Sequence, residues 1–134
     1  MRGLLDRILG KLGDDHQYDC GWTAVPLSSS ANAYSAAQKP IYRRYGKVVE
    51  LRGAASPKSQ VASGGTLTIG TLPEHYRPWY LDVYNVCQGS GYNKWHLHIN
   101  TGGVITAERY GVSSGAAIPT SAWLSISISF IVND

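Results

Sequence analysis

Two stretches of this chain gather side chains that can grip a ligand. The first, RPWYLDVYN, carries Trp79, Tyr80, Asp82 and Tyr84, and the second, GYNKWHLH, carries Tyr92, Asn93, Lys94 and His96. A saccharide presents CH faces that pack on aromatic rings and hydroxyls that bond to Asp, Asn, His or Arg side chains, so both stretches supply what sugar binding requires. Each aromatic also suits a hydrophobic core. Trp22, Trp95 and Trp123 begin or sit within alternating strands and are read as core; Trp79 and Tyr92 lie near strand ends and are read as surface. The candidate saccharide-binding set is therefore Trp79, Tyr80, Asp82, Tyr92, Asn93 and His96.

His96 and His98 lie two apart on an alternating stretch and project to one face, as a pair of metal ligands on a strand must. The plainer reading is a pair of polar histidines on the solvent side of a strand. Enzymatic chemistry has little support. Glu74 and Asp82 would be the carboxylates of a glycosidase, yet nothing in the sequence brings them to one bond. There is no nucleophile elbow, phosphate loop or cysteine-histidine signature, and the chain is read as a non-enzyme.

With 134 residues, 43% of them hydrophobic and 16% charged, the chain has the composition of one globular domain. Fifteen glycines and nine tyrosines, against one methionine and one phenylalanine, favour turns and half-buried strands over long helices. A formal charge of +3 is too mild to argue for nucleic acid. Cys20 and Cys87 have no zinc or redox spacing and are read as two buried free thiols. Asp6 and Arg7 interrupt the apolar start, so no signal peptide is expected, nor is any stretch long enough to span a membrane. The expectation is a soluble protein made in a cytoplasm.

The elements that must position the candidate residues change period along the chain. In RGLLDRILGKLG, Leu5, Ile8 and Leu12, widened by Leu4 and Leu9, predict a short amphipathic helix ended by Gly13, followed by a polar linker. Such a helix needs a partner surface. It packs on its own domain, lies on a membrane surface, or forms the last turns of a stem that joins copies of the chain. From Trp22 onward the period is two. IYRRYGKVVELRG reads as a hairpin turning at Gly46-Lys47, with Tyr45 opposite Val48, Arg43 opposite Glu50 and Tyr42 opposite Leu51. The Arg43–Glu50 pair argues against a phosphate-binding role for the basic run. In IGTLPEHYRP, Pro73 and Pro78 stop strand pairing, and Tyr76 and Arg77 are expected to pack and hydrogen-bond to fix the connection. AWLSISISFIV reads as one last strand, with Leu124, Ile126, Ile128 and Phe130 on the inner side and a serine face that is half-exposed or lies at a subunit contact. Seven or eight such strands predict an all-β, antiparallel, jelly-roll-like β-sandwich with a short N-terminal helix: residues 1–21 as helix and linker or stem, 22–134 as the sandwich.

The order YRRYGKVVELRG, IGTLPEHYRP, HINTGGVIT and AWLSISISF resembles the C-terminal head domains of tail-fibre and baseplate receptor-binding proteins of tailed phages and prophages, chiefly those of Gram-positive bacteria. The resemblance runs from about Tyr42 to Val132. It implies a homotrimer at the tip of a virion appendage, attached to other tail or baseplate proteins and binding a host-surface saccharide, with neither nucleic acid nor membrane as partner. In some trimeric phage fibres His-x-His pairs from three chains bind one metal on the threefold axis, and His96 and His98 resemble such a pair. No other cofactor is implied. The alternative is a purely structural tip or baseplate component without receptor affinity.

Overall fold

The computed structural model describes residues 17–19, 21–111 and 115–133. The helix expected over residues 1–13 and the thiol of Cys20 lie outside them. Eleven strands are described: β1 (Thr23–Ala24), β2 (Ala31–Ala33), β3 (Ile41–Tyr45), β4 (Val48–Arg52), β5 (Ala54–Pro57), β6 (Leu67–Thr71), β7 (Val83–Gln88), β8 (Lys94–Ile99), β9 (Val104–Gly111), β10 (Leu124–Ser125) and β11 (Ile128–Ile131). The helical content among the described residues is a single 3-10 turn at Ser90–Tyr92.

The β3–β4 hairpin has the register read from the sequence: Tyr45 faces Val48, Arg43 faces Glu50 and Tyr42 faces Leu51. Gly46, at φ 57°, opens the turn. The ion pairs differ from the register. Arg43 lays both Nε and Nη2 on the carboxylate of Asp19, at 2.9 and 3.1 Å, while Glu50 accepts from Arg52 on its own strand at 2.8 Å. A two-pronged contact satisfies the guanidinium fork better than one cross-strand oxygen. Asp19, expected in the linker, is thereby bonded to the outer face of β3.

All pairing is antiparallel, as expected, but it is distributed over three sheets, β1-β3-β4-β11, β10-β5-β2 and β6-β9-β8-β7, where a simple sandwich would have two. The reason lies in two bends. Gly53, at φ 106°, separates β4 from β5, and Ile126-Ser127 separates β10 from β11. Ile126 N–H donates to the Gly53 carbonyl at 3.0 Å, so the two bends face each other and both strands pass together from one sheet to the next. The single last strand expected from the alternating serines is therefore two strands in two sheets. Leu124, Ile126 and Phe130 are still buried on the inner side.

The third sheet is set by strict alternation. In β8, Trp95, Leu97 and Ile99 are fully buried while His96 and His98 are half-buried on the opposite face. Those three join Val49, Leu51, Leu67, Ile69, Ile105, Leu124 and Phe130, drawn from all three sheets, in one core cluster. Each large aliphatic side chain so buried contributes about 1.5–3 kcal/mol. Trp95 is core as expected and Trp123 is half-buried. Trp22 is not core: it is 40% exposed, because it precedes a two-residue edge strand that pairs with β3 alone. Cys87 is a buried free thiol, and burial pushes its pKa up to about 11.

Candidate functional site

The connection from β6 to β7 is fastened at three points. Arg44, 2% exposed although it is charged, donates Nε to the Gly46 carbonyl at 2.6 Å and Nη1 to the His75 carbonyl at 2.7 Å. Its guanidinium also lies 4.7 Å from the Tyr18 ring centre, and Tyr18 stacks on His75 with ring centres 4.3 Å apart. Tyr76 packs edge-on against Tyr42 at 5.1 Å and donates its hydroxyl to the Tyr18 carbonyl at 2.6 Å. Arg77 Nε donates to the Leu72 carbonyl at 2.9 Å. Close packing there requires glycine at 103, where φ is +86° and a Cβ would stand 2.7 Å from the Leu72 oxygen and 2.9 Å from Arg77. Tyr76 and Arg77 thus build the connection, as their sequence context suggested.

What this connection presents outward is aromatic. Trp79 is 56% and Tyr80 79% exposed, with ring centres 6.2 Å apart. Trp79 N–H donates to the Ile131 carbonyl at 3.1 Å, and Tyr80 sits at φ 75°, a left-handed conformation that bulky residues seldom adopt. Beside them opens a cleft of about 460 Å³ lined by Glu74, His75, Arg77, Trp79, Tyr80 and Thr101 among others.

Asp82 closes the connection by bonding at both oxygens. Oδ1 accepts from Thr101 N–H at 3.1 Å, and Oδ2 meets His98 Nε2 at 2.9 Å. The other ring nitrogen of His98, Nδ1, meets Glu108 Oε1 at 2.7 Å, and Tyr84 stacks over the imidazole at 4.3 Å. Burial opposes charge on His98, but the hydrogen bonds to Glu108 and Asp82 outweigh it and its pKa is raised. The same hydrogen bonds hold the carboxyls of Asp82 and Glu108 below their ordinary values. With both His98 nitrogens facing carboxylates on opposite sides of the ring, neither is turned toward His96. Among the described residues no group of three His, Cys, Asp or Glu side chains is placed to hold a metal ion.

The remaining sequence-predicted residues lie elsewhere. Tyr92, 88% exposed at φ 63°, and Asn93, which donates to the Ser90 carbonyl at 2.7 Å, occupy the turn between β7 and β8. The β7–β8 pairing runs from Gln88 opposite Lys94 to Val83 opposite Ile99, so this turn is at one end of the hairpin and Trp79, Tyr80 and Asp82 at the other. Six residues of strand separate them by roughly 17–20 Å. His96 sits midway, opposite Val86 and Glu108. One chain therefore does not gather the six candidates around a single sugar. The hairpin was the available signal: two alternating stretches joined by QGSGYN pair with each other and set the turn that holds Tyr92 and Asn93 a strand's length from the open end that follows Trp79 and Tyr80.

Sequence reasoning missed the Asp82–His98–Glu108 bridge and the buried Arg44, and it overlooked a cleft beside Tyr34 and Trp123. Asp82 comes from a loop and Glu108 from a different strand, so no short motif joins them to His98.

No protein-family model matches the chain, and none of the curated proteins matches it. Its fold is similar to that of a solved phage head domain. The crystal structure of the head domain of phage bIL170, reported among the receptor-binding domains of lactococcal phages, superposes with a TM-score of 0.61 at 18% identity, covering 86% of this chain and all of that domain.

Proposed function

We propose that this chain is the head of a phage tail-fibre or baseplate receptor-binding protein. On this reading it assembles as a homotrimer at the virion tip and adheres to a host-surface saccharide, with the Trp79–Tyr80–Asp82 end of the domain as the contact. The observation that carries the reading is the pair of exposed rings, Trp79 and Tyr80, held on a rigid connection in a domain of this fold. Ordinarily such rings would be packed away. Here the backbone of Tyr80 is held in a left-handed conformation to present them, a cost commonly retained at functional sites. Asp82 anchors the connection from below, its two oxygens already engaged by Thr101 and His98. Tyr92, Asn93 and His96 belong to the same surface through a neighbouring chain or an extended glycan.

The test is cell adsorption by the full chain carrying Trp79→Ala, with Tyr92→Ala as comparison. Both residues are exposed, so each variant keeps the parent melting temperature to within a degree or two. Trp79→Ala loses adsorption and glycan-array binding. A variant that folds and still adsorbs at the parent level removes the site from this end of the domain.

A further inference from the structure

A second cleft lies away from the proline connection. It has a volume of about 520 Å³, within the range of small-ligand sites, and Tyr34, Gln38, Lys39, Arg52, Trp123 and Ser125 line it. Its walls are fixed through the backbone. Tyr34 N–H donates to the Ala54 carbonyl at 3.0 Å and Ala54 N–H to the Gln38 carbonyl at 2.8 Å, which clamps residues 34–38 onto β5. Gly53 forms part of the floor, and a Cβ at this position would overlap the Lys39 carbonyl. Trp123 is clamped likewise: its N–H donates to Ser90 Oγ at 2.8 Å and its carbonyl accepts from Ser90 N–H at 3.1 Å. These contacts fix the walls of the cleft through the backbone.

The lining chemistry selects a ligand class. Tyr34, 41% exposed, and the half-buried Trp123 offer aromatic faces for a sugar ring. Gln38, Lys39, Arg52 and Ser125 all carry side-chain donors, and no aspartate or glutamate lines the cleft. A donor-rich wall suits a ligand rich in acceptors. Arg52 already gives Nε to Glu50 at 2.8 Å, which leaves about one net positive charge, that of Lys39, facing the space. That balance fits a monoanion better than a dianion. We infer that this cleft is a second carbohydrate subsite that takes a pyranose bearing a carboxylate, with the ring on Tyr34 and Trp123 and the carboxylate toward Lys39 and Arg52. The inference rests on the receptor-binding reading given above.

The experiment is a titration of the isotopically labelled full chain with D-glucuronate, followed by amide and indole resonances, with D-glucose as the control. Saturable shifts at Tyr34 and Trp123 are expected, at least about tenfold tighter for glucuronate than for glucose, and weakened about tenfold by Lys39→Gln, the loss of one charge-assisted hydrogen bond. Equal response to both sugars, or no effect of Lys39→Gln on a variant with an unchanged spectrum elsewhere, overturns the inference. Shifts confined to Trp79 and Tyr80 remove the second subsite and leave the receptor-binding reading intact. No shift with either sugar removes the subsite too, and if the same preparation also fails to adsorb to cells, the receptor-binding reading goes with it.

Discussion

His98 Nε2 lies 2.9 Å from Asp82 Oδ2 while its Nδ1 lies 2.7 Å from Glu108 Oε1, so one imidazole ties the loop before β7 to strand β9. A neutral ring has one N–H and would turn a lone pair toward one of the carboxylates. The imidazolium satisfies both carboxylates at once, in line with the raised pKa of His98. Its stabilising effect is complete below the ordinary imidazole value of 6.5 and is lost as pH rises through the raised value in the folded chain. For Asp82 and Glu108, ordinarily at 3.8 and 4.5, the effect is complete above those values and is lost as pH falls through the lowered ones. The melting temperature of the parent should therefore be highest between about pH 5 and 6.5 and fall on either side. His98→Gln should flatten that profile; an unchanged profile in the variant would exclude the bridge as its cause.

Arg44 should be the most costly cation to remove. Its two carbonyl acceptors, on Gly46 and His75, are satisfied by a side chain only 2% exposed. Arg44→Ala strands both, and charged hydrogen bonds of this kind contribute about 1.5–3 kcal/mol each, so a loss of roughly 3 kcal/mol is expected in urea unfolding. Lys58→Ala, at an exposed position, should stay within about 0.5 kcal/mol of the parent.

The proposed homotrimer is checked by mass. Light scattering on a sizing column should return three times the 14.5 kDa chain mass at micromolar concentration. Leu81, Tyr84 and Val86, exposed by 66, 61 and 60% along and before β7, are the apolar surface that copies of the chain would cover. Leu81→Glu and Val86→Lys together, which leave the Tyr84–His98 stack in place, should reduce the mass to that of one chain without lowering the unfolding midpoint of the domain. A parent that already elutes as one chain rejects the trimer.

Cys87 should be inert in the folded chain. Burial raises its thiol to about 11, so almost no thiolate exists at pH 8. Ellman's reagent should react with it at the rate of unfolding, and full reaction within seconds in native buffer would contradict its burial.

Local pattern carried most of the fold and little of the site. The alternation in β8 and the Gly46 turn were sufficient to set Trp95, Leu97 and Ile99 inward and to place the β3–β4 register. Where strands end and change sheet was not legible, because the bend at Gly53 depends on a backbone approach to Lys39 from elsewhere in the chain. The same limit applied to Arg43, whose partner Asp19 is 24 residues distant, and not the Glu50 facing it in register. It applied again to Trp79 and Tyr92, which are neighbours along the sequence but stand at opposite ends of one hairpin.

The docking of Tyr18 and Asp19 determines how the domain bears tension. A pull arriving from the upstream chain meets the Asp19–Arg43 pair and the Tyr18–Tyr76 hydrogen bond before it reaches β1, whose two residues would otherwise peel from β3 one hydrogen bond at a time. Tyr76 belongs to the same connection that carries Trp79. Load is thus delivered directly to the segment that presents the exposed rings, and the short edge strand is spared from acting as the point where the domain unzips.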